Sequence, residues 1–101
     1  MGKMEGKVVI ITGGGKGIGF GLSTAFAKEG AKLVLTGRTV ATLENAKKEL
    51  EEKYGVEVLT VGADGANEEQ VAHVVEEAVK KFGKIDVLIN NAQTSKSGLM
   101  L

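Results

Sequence analysis

The chain has 101 residues, which is enough for one domain (1–101) with a single hydrophobic core. Its 13 basic and 13 acidic residues balance, and this argues against nucleic acid or an anionic membrane as the main partner. The absence of cysteine excludes disulfides and thiolate metal sites. No apolar run approaches the roughly 20 residues of a membrane span, and the first residues do not look like a secretory signal. We therefore expect a cytoplasmic protein.

The first part of the chain contains a β-branched segment, followed by a glycine-rich stretch and then by a helical pattern. The β-branched segment covers residues 7–12, and the helix is predicted over residues 18–29, ending before Gly30. We expect the sheet-facing side of this helix to consist of Ile18, Leu22, Ala25 and Phe26. Glycines permit positive φ and a close ligand approach, and a helix N-terminus attracts anions. The turn between strand and helix therefore predicts a phosphate-binding site.

The spacing of the glycines distinguishes this turn from two common phosphate-binding motifs. It is Gly13-x-x-x-Gly17-x-Gly19, preceded by Thr12. It does not fit G-x-G-x-x-G, because Ile18 stands where the last glycine belongs, and no Gly-Lys-Ser/Thr of a P-loop follows. A merely flexible turn is the alternative. The position between a buried-type strand and an amphipathic helix favours nucleotide binding.

The same rhythm of strand and helix continues to the end of the chain. Further strands are predicted over residues 31–36, 56–61 and 85–90, the second of these three at the edge of the sheet. A second helix follows Thr39 as N-cap and ends at Gly55, and a third runs from the cap Asn67 to Gly83. Four strands alternating with three helices predict a three-layer, doubly wound parallel sheet (a Rossmann fold) with strand order 3-2-1-4. The first two helices should cover one face and the third helix the other.

Three motifs in this order resemble those of the short-chain dehydrogenase/reductase family. They are Thr12-Gly13-x-x-x-Gly17-Ile18-Gly19, Asp64 after the third strand, and Asn90-Asn91-Ala92 after the fourth. The resemblance covers the N-terminal, cofactor-binding half of that family. It implies that the glycine turn binds a dinucleotide pyrophosphate through Gly13, Gly15, Gly17, Ile18 and Gly19.

Two cations favour NADP(H) over NAD(H). At the end of the second strand, where NAD-selective sites of this fold carry a carboxylate, the chain has Gly37 followed by Arg38. A guanidinium binds a 2′-phosphate through charge-assisted hydrogen bonds, whereas a carboxylate repels it. Lys16 lies in the glycine turn, and the resemblance places it on the same side of the adenosine ribose. A solvated Arg and Lys are the alternative.

The resemblance assigns the remaining cofactor contacts. Asp64 and the backbone of Gly65 would bind adenine, although Asp64 could also be a simple turn residue. The side chain of Asn90 would tie strands together, and Asn91 and Ala92 would pass beside the nicotinamide ribose. Gln93 replaces the usual glycine of the Asn-Asn-Ala-Gly motif. The only histidine, His73, is expected to face solvent, and no metal site is predicted.

Residues for the chemical step are absent from the sequence. The family reduces carbonyls with a Ser and a Tyr-x-x-x-Lys pair. Here the only tyrosine is Tyr54, the residue four positions later is Val58, and Ser95 and Ser97 come too early in the fold. We therefore expect the cofactor-binding part of an oxidoreductase, inactive by itself. The alternative is a non-catalytic dinucleotide-binding or assembly module, and the sequence that follows Leu101 in the source gene would distinguish the two.

Association of the chain with itself is also expected. In the complete fold a fifth strand covers the fourth and a fourth helix packs on the third. Without them, an unpaired parallel edge and an apolar helix flank favour a homo-oligomer.

Overall fold

The computed structural model describes residues 3–15, 17–63 and 67–91. Within them the elements alternate strictly along the chain: β1 (Val8–Thr12), α1 (Gly17–Lys28), β2 (Lys32–Gly37), α2 (Val40–Tyr54), β3 (Val58–Gly62), α3 (Glu68–Phe82) and β4 (Val87–Ile89). The radius of gyration of the Cα atoms is 12.2 Å, close to the roughly 13 Å of a compact domain of this length.

The four strands form one parallel sheet in the order β3-β2-β1-β4, as predicted. Val9 pairs with Leu33 on one side and with Val87 on the other, so β1 is central. All five residues of β1 are buried, which explains its continuous apolar character. Since parallel strands end at the same edge, the segments that follow β1, β2 and β4 lie together there.

Alternate residues of the strands contribute to two separate hydrophobic cores, one on each face of the sheet. Val9, Ile11, Leu33 and Leu35 pack under α1 and α2, whereas the opposite face packs against α3 through Val8, Ile10 and Val34. The first two helices therefore cover one face and the third helix the other, as right-handed crossovers require.

The helix ends follow the predicted capping residues, with one exception. Gly55 and Gly83 close α2 and α3 in the left-handed conformation, at φ 69° and 83°. The Asn67 side chain accepts a hydrogen bond from the Gln70 N–H at 3.1 Å. Thr39 stands at the N-cap of α2, but its side chain makes no capping hydrogen bond.

The prediction for the sheet-facing side of α1 is wrong for two of its four residues. Ile18 is 76% exposed and Ala25 is also exposed, whereas Leu22 and Phe26 are partly buried and pack against the core on that side of the sheet. The buried residues of α1 are Gly19, Ser23 and Ala27, spaced four apart. Small residues line this side because the helix lies too close to the turn and the sheet for larger side chains.

Asp86 connects the amino ends of two neighbouring strands. Its carboxylate accepts a hydrogen bond from the N–H of Val8 at 2.8 Å and lies 3.1 Å from the Lys84 ammonium. The backbone hydrogen bond from Val8, and then the bond from Lys84, hold the pKa of the Asp86 carboxyl below its ordinary value. The ionised carboxylate therefore helps to keep β4 beside β1.

Candidate functional site

The glycine turn after β1 is tied to the end of β2 through its amides. The Gly13 N–H donates to the Thr36 carbonyl oxygen at 2.6 Å, and the Gly14 N–H reaches the same oxygen at 3.4 Å. Gly13 has a φ of 66°, and Gly17, where α1 begins, has a φ of 61°. Both values lie in the left-handed region that favours glycine.

The carbonyl groups of Gly13 and Gly14 accept hydrogen bonds from two side chains. The Gly13 oxygen accepts a hydrogen bond from Asn91 Nδ2 at 3.4 Å, and the Gly14 oxygen accepts one from Ser23 Oγ at 3.1 Å. The first two residues of the turn are therefore held by β2, by the segment after β4 and by α1. Such a turn has its shape before any ligand binds.

Gly19 lets α1 lie directly against this turn. A Cβ atom on Gly19 would stand 1.8 Å from the Gly13 carbonyl oxygen and 2.9 Å from Asn91 Nδ2. The first four N–H groups of a helix have no partner within the helix, and the first turn of α1 contains no acidic residue to neutralise them. The start of α1 therefore presents donors that have no partner within the helix, and a positive partial charge, beside the turn.

A second set of polar contacts joins β1 to the segment after β4. The Thr12 hydroxyl lies 3.0 Å from Asn90 Oδ1 and 3.4 Å from the carbonyl oxygen of Ile89. This is the strand-tying contact that the resemblance implied for Asn90. Thr36, the register partner of Thr12, is 1% exposed, and its hydroxyl has no hydrogen-bond partner within the described part of the chain.

The predicted contacts to the adenosine side are placed only in part. Arg38 is exposed directly after β2, at the same edge of the sheet as the glycine turn. Lys16, Asp64, Gly65 and Ala92 lie outside the described residues, so their roles stay predictions. The chain leaving β3 runs beside Arg38, since the Ala63 N–H donates to the Gly37 oxygen at 2.9 Å.

Three further predicted site residues lie at the glycine turn or at the start of α1: Gly15, Ile18 and Asn91. A Cβ on Gly15 would lie 3.0 Å from Thr42 Cγ2 of α2, so this glycine allows the turn to approach the second helix. Ile18 extends into solvent beside Gly17. Asn91 reaches the turn through its side-chain amide.

Three further observations concern the described residues away from this site. His73 is exposed on α3, as predicted. Across the described ranges, no three metal-ligating side chains are grouped so that they could hold an ion, and no helix has the length and apolar character that crossing a bilayer requires.

Sequence reasoning missed one residue of the site. Ser23 is fully buried, and its contact with Gly14 joins residues nine positions apart. The available signal was a small polar residue four positions after Gly19, on a helix that follows a glycine-rich turn.

The fold and the turn together define a doubly wound α/β domain of the Rossmann type. A family model described as short chain dehydrogenase matches residues 7–100. The chain belongs to this family.

Individual relatives agree with the family match. The chain is 52% identical, over 107 residues, to the 12alpha-hydroxysteroid dehydrogenase of a Clostridium species, with 100% of this chain and 41% of that protein covered. It is similar to the L-sorbose reductase of Gluconobacter frateurii, solved with NADPH and L-sorbose: the TM-score is 0.85 at 49% identity, over 91% of this chain and 35% of that one. An NAD+-bound xylitol dehydrogenase gives a TM-score of 0.83 at 39% identity, over 89% and 34% of the two chains.

The chain thus spans between 34% and 41% of the length of these relatives. Two of these structures were solved with different nicotinamide dinucleotides, so the similarity supports this class of cofactor without choosing between its two members.

Proposed function

We propose that the chain binds NADP(H) as the cofactor-binding part of a short-chain dehydrogenase/reductase. Such an enzyme transfers hydride between a nicotinamide and a carbonyl or alcohol substrate. The observation that carries this proposal is the pinned glycine turn. The backbone groups of Gly13 and Gly14 are held by the protein, and the turn lies against the N-terminus of α1.

Each predicted site residue has a role in this proposal. The pyrophosphate lies against the turn and the start of α1, in contact with Gly13, Gly15, Gly17, Ile18 and Gly19. Lys16 and Arg38 bind the 2′-phosphate, Asp64 and Gly65 bind adenine, and Asn91 and Ala92 lie beside the nicotinamide ribose. The dinucleotide thus extends along the carboxyl edge of the sheet from β3 to β4, which is where ligands bind in this fold.

The preference for NADP(H) depends on the residues after β2. The carboxylate that selects the ribose 2′-hydroxyl is replaced by Gly37, and Arg38 is exposed next to it. An exposed guanidinium at this edge is able to form two parallel hydrogen bonds with a phosphate.

Calorimetric titration of the 101-residue protein with NADPH and NADH tests the proposal. We expect NADPH to bind at least about tenfold more tightly, since a hydrogen bond to a charged group contributes about 1.5–3 kcal/mol. Arg38→Asp should remove this difference or reverse it. Lys48→Asp makes the same charge change on the exposed outer side of α2 and should leave the preference intact. Equal affinities in the unmodified protein would overturn the assignment of NADP(H).

We also propose that the chain does not catalyse hydride transfer by itself. Tyr54 is its only tyrosine, and Val58 follows four residues later. Tyr54 is the last residue of α2 and packs against the hydrophobic core. A proton donor poised against a substrate oxygen is therefore lacking in this sequence. Oxidation of NADPH by the purified chain with a panel of aldehydes and ketones would contradict this.

We also propose that the chain forms a homo-oligomer. Leu88 on β4 is 49% exposed and Val79 on α3 is 45% exposed, and among the described residues β4 is the outermost strand on that side of the sheet. Exposed apolar residues beside a strand edge favour pairing with another chain. We expect a dimer or larger oligomer by light scattering at tens of micromolar protein, and a monomer there would count against the proposal.

A further inference from the structure

One buried serine connects the glycine turn to the helix that follows it. Ser23 is 0% exposed, and its Oγ lies 2.8 Å from the carbonyl oxygen of Gly19 and 3.1 Å from that of Gly14. The Gly19 oxygen is the usual partner for a serine in a helix, four residues back. The Gly14 oxygen belongs to the turn, so a single hydroxyl is shared between the helix and the turn.

We propose that Ser23 is a positioning residue for the pyrophosphate of the dinucleotide. It acts through the peptide group between Gly14 and Gly15. The proposal rests on the proposed function of the turn, because it names the residue that sets the direction of one of the phosphate-binding amides.

The planarity of the peptide bond links the Gly14 carbonyl to the Gly15 N–H. The carbonyl of Gly14 and the N–H of Gly15 belong to one rigid plane and point in opposite directions. Ser23 holds the Gly14 oxygen toward the buried side of α1. The Gly15 N–H is therefore directed away from that buried side. A rotation of this peptide group would turn the donor away from a bound phosphate.

The other hydrogen bond of Gly14 acts on a different peptide group. The Gly14 N–H, which reaches the Thr36 oxygen at 3.4 Å, belongs to the Gly13–Gly14 plane, whereas Ser23 contacts the Gly14–Gly15 plane at 3.1 Å. Gly14 is itself buried, so its carbonyl oxygen would lose a hydrogen bond without a solvent replacement if the hydroxyl were removed. Rotation toward solvent would then restore a partner to this oxygen.

The Ser23 side chain occupies the space beside Gly14 that a larger residue at position 14 would need. A Cβ on Gly14 would lie 3.1 Å from Ser23 Oγ and 2.8 Å from Leu35 Cδ2. The hydroxyl and the missing side chain of Gly14 thus fit each other, and a larger residue at either position would displace the turn.

Two measurements on Ser23→Ala test this proposal, with Thr24→Ala as a matched loss of a hydroxyl on the next residue of α1. In calorimetric titrations with NADPH, Ser23→Ala should raise the Kd about tenfold, the equivalent of one lost buried hydrogen bond, while Thr24→Ala leaves it within about twofold. An unchanged Kd in Ser23→Ala, with NADPH binding to the unmodified protein, would overturn the proposal but not the proposed function.

Amide hydrogen exchange of the ligand-free protein separates positioning from general stability. The Gly13 N–H, bonded to Thr36, should exchange at least about tenfold faster in Ser23→Ala, whereas the Val34 N–H in the central part of β2 changes much less. An equal acceleration of both amides would mean that Ser23 only stabilises the fold, and would overturn the proposal. If the unmodified protein does not bind NADPH, the proposed function fails, and this exchange experiment still decides whether Ser23 fixes the turn.

Discussion

Replacing Gly19 by alanine tests how closely α1 must lie against the glycine turn. The added Cβ would stand 1.8 Å from the Gly13 carbonyl oxygen and 2.7 Å from its carbonyl carbon. Both atoms belong to the backbone, and the Gly13 peptide groups are held by Thr36 and Asn91. No side-chain rotation can relieve the contact, so the helix and the turn have to separate.

The size of the effect follows from this geometry. Reaching 3.0 Å, the lower limit of real Cβ contacts, requires an opening of about 1.2 Å. Overpacking of a core costs about 1–3 kcal/mol where side chains can adjust, and more is expected where backbone must move. Alanine recovers up to about 1 kcal/mol through its helix propensity. We therefore expect a net loss of at least about 2 kcal/mol in the free energy of unfolding, or roughly 10 °C in Tm.

The same helix supplies the control. Gly21 is exposed on α1, and a Cβ there would meet no atom within 4 Å. Gly21→Ala should therefore stabilise the protein by about 0.5–1 kcal/mol. Urea and thermal denaturation, followed by circular dichroism at one protein concentration, measure both variants. Equal stability of the two variants would refute the close packing of α1 on the turn.

Two further predictions concern single polar side chains. Asp86→Asn should lower the free energy of unfolding at neutral pH. The pKa of Asp86 is lowered by the Val8 N–H and by Lys84, so the ionised carboxylate stabilises the fold above a pH of about 4. This stabilisation is lost as the pH falls through the folded-state pKa. The difference in stability between the variant and the parent should therefore be larger at pH 7 than at pH 3 in denaturation curves, and a difference that does not change with pH would contradict the assignment. Thr36→Val removes a buried hydroxyl without a partner among the described residues, and should leave the free energy of unfolding unchanged or raise it by up to about 1 kcal/mol. Thr12→Val, which removes a hydroxyl bonded to Asn90, should lower it by about 1–2 kcal/mol, and the opposite ranking in urea denaturation would refute this difference.

The order of the elements was predictable because it depends on local patterns and on chirality. The alternation of strands and helices, with right-handed crossovers, leaves the strand order 3-2-1-4 as the natural solution. Helix ends at Gly55 and Gly83 and the cap at Asn67 are similarly local, and the structure confirms them.

The buried side of α1 could not be obtained in the same way. Hydrophobicity selects Ile18 and Ala25, but the helix is close enough to the turn that Gly19 and Ser23 face inward instead. The distance between a helix and a turn is a property of the whole fold.

The strand limits also shifted where tertiary contacts intervene. β3 begins at Val58, two residues later than predicted, and the Val58 N–H donates to the Glu51 carboxylate of α2 at 3.3 Å. β4 is limited to Val87–Ile89, although the Asp86 N–H still bonds to the Val8 oxygen at 2.9 Å. Such contacts between distant residues carry no signal in a local pattern.

Part of the candidate site was predictable as well. The glycine spacing and the Asn90-Asn91 pair identified the turn and the segment that meets it. The anchoring of Gly14 by Ser23 was not predictable, because it depends on a contact between the helix and the turn that only the packed structure provides.

The central claim is that the glycine turn and the start of α1 receive the pyrophosphate of a nicotinamide dinucleotide. Titration of isotopically labelled protein with NADPH, followed by backbone amide resonances, tests it most directly. We predict the largest shifts at Gly15, Gly17, Ile18 and Gly19, with little change on the outer side of α2. Saturating NADPH that leaves these resonances in place, or that shifts other regions instead, would contradict the account.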